Sequence, residues 1–155
     1  MSAPLVIRPA ARSDVEFLSD LAMRSKASHG YDAAFMAQCR EELAIRPHTL
    51  SERDVWLAEN DGTIIGFFAL ESPADGVCEV NPIFVEPHLQ QGGVGRALWR
   101  KLEERARFAG AVAIGLDSDP NAVGFYEKMG CKITGWSPSG SIPGRMLPRM
   151  QKPLA

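Results

Sequence analysis

The sequence predicts one domain of mixed α/β class, with an antiparallel hairpin half and a βαβ half. Three observations point there. Asp61-Gly62 stands between two strand-like runs, Val55–Asn60 and Thr63–Leu70, the pattern of a tight hairpin. Val77–Val85 passes through Pro87 into a glycine-rich turn, then an amphipathic helix over Val94–Gly110, then a further apolar run, which reads as strand–helix–strand. Finally, the chain has 155 residues, 45% of them hydrophobic, enough for a core without a disulfide or metal staple. No repeat, linker or low-complexity tract divides it.

The elements follow in order. Leu5–Arg8 is a short first strand. Ser13-Asp-Val-Glu16 has the form of a capping box that starts a helix, with Phe17, Leu18, Leu21 and Ala22 on its apolar side. The pattern breaks over Ser25–Tyr31, and Asp32 caps a second helix over Ala33–Ile45. The hairpin comes next, with a type I′ turn at Asp61-Gly62. Pro73–Gly76 turns the chain into the Val77–Val85 strand. The long helix places Val94, Leu98, Leu102, Ala106 and Ala109 on one stripe, with Glu103 and Arg107 paired on another side. Ala111–Leu116 is a strand, Asp119-Pro120 opens a helix, and Gly130 ends it. Cys131–Trp136 is a strand, Ser137–Gly144 a loop, and Arg145–Lys152 a last, proline-broken strand.

Composition excludes several classes. A net charge of −2, with no interleaving of basic and aromatic residues, gives no attraction to nucleic acid. No apolar run is long enough to span a membrane. The first residues lack the apolar core of a signal peptide, which predicts a cytoplasmic protein. Cys39, Cys78 and Cys131 are odd in number and far apart, fitting neither a disulfide framework nor a zinc site; buried thiols and no metal are expected.

The most informative segment is Val85-Glu-Pro-His-Leu-Gln90-Gln-Gly-Gly93-Val-Gly95-Arg-Ala-Leu98. Its glycines let backbone N–H groups converge at a helix start, where the helix dipole also favours an anion. That is a cradle for a phosphate-bearing ligand. A P-loop is excluded because no Gly-Lys-Ser/Thr run follows. A dinucleotide fingerprint is excluded because Leu98 stands where its third glycine belongs.

Gln-x-x-Gly-x-Gly after a strand and Val-x-Pro resembles the pyrophosphate loop of the GNAT N-acetyltransferase superfamily. Asp119-Pro-Asn-Ala-Val-Gly-Phe125-Tyr126-Glu-Lys-Met-Gly130 is similar to the second block of that superfamily, in the right order and about one helix and one strand further on. The resemblance covers roughly Val77 to Trp136. It implies a GNAT acyltransferase fold: a mixed sheet of six to seven strands, flanked by about four helices, splayed between the fourth and fifth strands. It also implies acetyl-CoA as co-substrate. Gln90 would shape the loop, and the amides of Gln91, Gly92, Gly93, Val94, Gly95 and Arg96 would hold the diphosphate. Main-chain groups of Ile83, Phe84 and Val85 would pair with the pantetheine arm beside a bulge marked by Pro82. The superfamily often has Asn seven residues before the tyrosine; Asp119 stands there, so it is read as a helix cap, and Asn121 as the residue reaching the cofactor. Gln91 and Cys131 also depart from the pattern, without removing a charge or a catalytic proton.

Acetyl transfer to an amine makes chemical demands. A primary amine with a pKa near 10.4 must lose a proton, the oxyanion needs a donor, and the departing thiolate needs a proton. By family position, Tyr126 is the acid that protonates the sulfur and the Val85 N–H the oxyanion donor. Glu79, eleven positions before Gln90, is the candidate base, tuned upward by an apolar gap; a solvated strand residue is the alternative. His29, Tyr31 and Arg145 fall in the two segments that set acceptor choice in the superfamily. The expected acceptor is a small-molecule primary amine. A protein or peptide amine and a non-catalytic acyl-CoA-binding module are the alternatives. The last strands and tail are candidates for pairing with a second copy as a homodimer.

Overall fold

The computed structural model describes residues 5–89 and 92–154. Its strands are β1 (Leu5–Pro9), β2 (Arg53–Asn60), β3 (Thr63–Glu71), β4 (Val77–Val85), β5 (Ala113–Asp117), β6 (Lys132–Pro138) and β7 (Met146–Pro153). The helices are α1 (Val15–Ala27), α2 (Ala33–Leu43), the single turn α3 (Thr49–Glu52), α4 (Val94–Phe108) and α5 (Val123–Lys128). All seven strands lie in one mixed sheet, ordered β1-β2-β3-β4-β5-β7-β6. The helix number exceeds the expected four by the short α3.

Alternation along the strands sets the layers. On β3, Phe67 and Ala69 face a core shared with Leu18, Leu21 and Ala22 of α1 and Met36 and Cys39 of α2. Phe68 and Leu70 face the other side, against Leu98, Trp99, Leu102 and Ala106 of α4 and Tyr126 of α5. The α4 stripe is buried as expected except at its end, where Ala109 is exposed and Trp99 takes a core place instead. All three cysteines are free and buried.

Turn chemistry matches the sequence at the hairpin, where Asp61 and Gly62 have φ of 55° and 80°. Asp32 caps α2 by accepting from the Phe35 N–H at 2.8 Å. The first helix starts differently from the expected capping box. Asp14, not Ser13, closes the turn, accepting from the Ala11 N–H at 2.7 Å. Two hydrogen bonds from Arg8 fix that carboxylate, a partner the local pattern does not reveal. The last strand is also continuous rather than broken, because Pro148 and Pro153 lie within its ladder to β5 and β6.

The sheet opens at its centre. β4 and β5 run parallel and pair only at Val77↔Ala113, Cys78↔Ile114 and Glu79↔Gly115. Beyond Glu79, the side of β4 toward β5 has no strand partner among the described residues. On the other side, Phe68 pairs with Ile83 and Leu70 with Val80, so Asn81 and Pro82 bulge opposite Ala69. Pro82 therefore sits in the bulge that its missing N–H suggests.

Candidate active site

Three features of the core that holds Ile83 and Val85 of β4 bear on a site. The first is the start of α4. Gly93 holds φ 83°, a left-handed conformation, and ends the turn just before Val94. The first turn of a helix has no internal acceptors for its N–H groups. Among the described residues, the amides of Val94, Gly95 and Arg96 find no acceptor, and the first helical bond runs from the Ala97 N–H to the Gly93 carbonyl at 3.1 Å. Gly95 also lets α5 approach: a Cβ there would lie 2.8 Å from Phe125 Cε1. Gln90, expected to shape this loop, and Gln91, whose amide is expected to join the diphosphate cradle, lie outside the described residues.

The second feature is the edge of β4. Ile83 and Val85 are buried toward α4, while Phe84 turns to the opposite core, 6.3 Å from the Phe67 ring. Their side chains are thus committed to packing, and only main-chain groups remain for a ligand laid along the strand. An unpaired strand edge offers N–H and C=O groups to an extended chain. A diphosphate cradle beside such an edge fits coenzyme A: an anion at one end and an amide-bearing arm along the other.

Tyr126 is the third. It is 9% exposed and packs against Trp99 and Phe125, with ring centroids at 6.0 and 5.3 Å. Burial, and then the neighbouring Cys131 and Asp119, push its phenol well above the ordinary tyrosine range. The hydroxyl therefore keeps its proton throughout the neutral range. Trp99 Nε1 beside it is buried and has no hydrogen-bond partner.

Glu79 stands where β4 and β5 part, but its surroundings differ from the expected apolar gap. It lines a polar cavity of about 370 Å³ together with Glu42, Glu71, Asn81, Asp117, Leu147 and Arg149. Arg149 grips it with both terminal guanidinium nitrogens: Nη1 donates to Oε2 at 2.6 Å and Nη2 to Oε1. That hydrogen bonding raises the Arg149 guanidinium above its usual value. The partner comes from the last strand, far along the chain, so the local sequence could not announce it. Asp117 and Arg149 face each other across the β5–β7 ladder. The polar run Asp117-Ser118-Asp119 at a strand end was the one available signal.

His29, Tyr31, Asn121 and Arg145 gather at a second cluster, two residues beyond Asp117. Its centre is Asp119. This carboxylate caps the turn before α5 by accepting from the Asn121 N–H at 2.8 Å, as expected. It also accepts from Lys26 Nζ at 2.9 Å and the Tyr31 hydroxyl at 2.8 Å. Burial alone would raise its pKa, but these donors outweigh that and hold it far below the usual carboxylate range. Arg145 donates to the Tyr31 hydroxyl at 2.7 Å and lies over the Tyr31 and Phe35 rings. Asn121 Nδ2 donates to Tyr31 and to Asp119. His29 packs edge-on against Tyr31. Tyr31, Asn121 and Arg145 are thus engaged with one another, and tie three loops together at the end of β5. None of the four lines the Glu79 cavity.

A sheet forked between two parallel strands, with unpaired amides at one helix start and a buried phenol on the helix packed against it, fits a coenzyme A-dependent acyltransferase. The profile of the acetyltransferase (GNAT) family matches residues 17–131, and the chain belongs to that family. It is an acetyl-CoA-dependent N-acetyltransferase. The chain is 32% identical over 113 residues to an IAA acetyltransferase of Azospirillum brasilense, spanning 68% of this chain and 72% of that protein. Its fold is similar to a GCN5-related N-acetyltransferase structure from Rhodopseudomonas palustris, with TM-score 0.81 and 23% identity, covering 99% and 98% of the two chains. It is also similar to the PaiA N-acetyltransferase of Thermoplasma acidophilum, solved with coenzyme A, with TM-score 0.76 and 22% identity over 97% and 99%. No helix among the described residues is long and apolar enough to cross a membrane.

Proposed function

We propose that this enzyme moves the acetyl group of acetyl-CoA to a primary amine of a small molecule, by direct attack in a ternary complex. The cavity at the β4–β5 fork carries this reading: about 370 Å³ is the scale of a small-molecule site, and Glu79 lines it. In this scheme the amides of residues 91–96 hold the diphosphate, with Gln90 shaping the loop. The main chain of Ile83, Phe84 and Val85 aligns the pantetheine arm. Glu79 takes the amine proton directly or through water; its bidentate pairing with Arg149 occupies two of roughly four carboxylate lone-pair sites and leaves the rest free. The Val85 N–H stabilises the oxyanion, and Tyr126 returns a proton to the departing sulfur. A cytoplasmic site of action belongs to the same reading.

The test is a screen with acetyl-CoA and a panel of alkyl monoamines, diamines, arylalkylamines and amino sugars, read by thiol release and product mass. Thiol release matched by a product carrying one added acetyl group is expected with at least one amine. Tight coenzyme A binding without turnover on any amine would instead indicate a binding module.

A further inference from the structure

We infer that Arg149 is a positioning residue for acetyl transfer, acting through Glu79 at the point where the sheet divides. The inference rests on Glu79 being the group that takes the amine proton. The β4–β5 ladder ends at Glu79↔Gly115, and β7 lies on the far side of β5. Arg149 therefore reaches from β7 across β5 to grip a carboxylate on β4. Asp117 of β5 accepts from the same guanidinium at 3.4 Å, so one side chain links all three strands.

The crossing is possible because residue 115 lacks a side chain. A Cβ on Gly115 would lie 3.1 Å from both Arg149 Cζ and Glu79 Oε1, and closer still to Arg149 Nη2. This clasp stands where backbone pairing stops, at the fork expected to admit the thioester. Bidentate guanidinium–carboxylate geometry fixes a plane as well as a distance, which a single ammonium contact does not. Arg149 also separates two carboxylates, Glu79 and Asp117, that would otherwise repel each other across the opening. Removing it leaves Glu79 on β4 with no fixed orientation toward the amine.

The experiment compares wild type, Arg149→Met, Arg149→Lys, Gly115→Ala, Glu79→Gln and the Arg149→Met/Glu79→Gln double variant. The acceptor is the amine giving the fastest thiol release in the screen above, and circular dichroism monitors folding. Arg149→Met is expected to lower kcat by about tenfold or more, with the KM for acetyl-CoA changed by less than about twofold. Arg149→Lys should recover part of that loss. In the Glu79→Gln background, Arg149→Met should change kcat by less than about twofold, because its effect passes through Glu79. Gly115→Ala should reproduce the loss with Arg149 intact, which keeps the test open should Arg149→Met fold poorly. An undiminished kcat in Arg149→Met, or an equal loss in both backgrounds, overturns the inference alone. Wild-type turnover by Glu79→Gln, or no turnover on any amine, overturns the reading beneath it as well.

Discussion

At the scale of residues, environment decides which groups are available for chemistry. Tyr126 is a buried phenol whose pKa burial pushes up, so it keeps its proton through the neutral range, and it is the group we propose as the acid. Tyr126→Phe is accordingly expected to lower kcat by about tenfold or more at every pH, measured as initial rates of thiol release. A loss below about twofold would remove it from the acid role. Asp119 is held in its ionised form by Lys26, the Asn121 N–H and Tyr31. Its pKa is lowered on folding, so it stabilises the fold above the unfolded value of about 3.9, and that contribution fades as pH falls toward the folded value. Asp119→Asn should therefore cost about 2 kcal/mol at neutral pH by urea unfolding, with the gap to wild type closing below about pH 4. The sequence identified Asp119 as a cap, and it is one. Its larger role depends on Lys26 at the end of α1 and on Tyr31 and Arg145 from loops, all distant from it in the chain.

At the scale of elements, the glycines around the α4 start serve different ends, and substitution separates them. A Cβ on Gly93 meets no atom within 4 Å, so Gly93→Ala costs only backbone strain, about 1 kcal/mol. Coenzyme A affinity should fall with it, because the turn that orients the first amides is disturbed. Gly95→Ala forces Phe125 aside, and Phe125 packs against Tyr126 at 5.3 Å. It should lower kcat more than it weakens coenzyme A binding. Calorimetry beside steady-state kinetics distinguishes the two patterns. Elements with local causes were readable in advance: the Asp61-Gly62 hairpin, the Asp32 cap, the Val77–Val85 strand with its proline bulge, and most of the α4 stripe. The first-helix cap was misread because Arg8 recruits Asp14 from an adjacent strand. The surroundings of Glu79 were misread because its partner comes from β7. Pattern along a chain reports burial and turns; it does not report which charge a later strand delivers.

At the scale of the whole molecule, the division of one sheet into two halves creates the site. β1 to β4 form an antiparallel unit, β5 to β7 another, and three paired residues on each of β4 and β5 join them. The start of α4, Val85 at the end of β4 and Tyr126 of α5 share one core cluster, on which the proposed cradle, strand edge and acid are built. One of the sheet's two outer edges is β6, where Ile133 and Trp136 are 47% and 63% exposed. An edge strand with apolar side chains suits pairing between copies. A dimer mass in light scattering would bear out the homodimer proposed from the sequence, and a monomer mass would overturn it.

We propose that backbone amides at the start of α4, together with the free edge of β4, hold coenzyme A so that its sulfur meets Tyr126. A crystal structure with coenzyme A tests it most directly. Diphosphate oxygens are expected about 2.7–3.2 Å from the amides of Val94 to Arg96, with the pantetheine arm bonded to the main chain of Ile83–Val85. Coenzyme A bound elsewhere on the molecule, or with its diphosphate away from the α4 start, would contradict it.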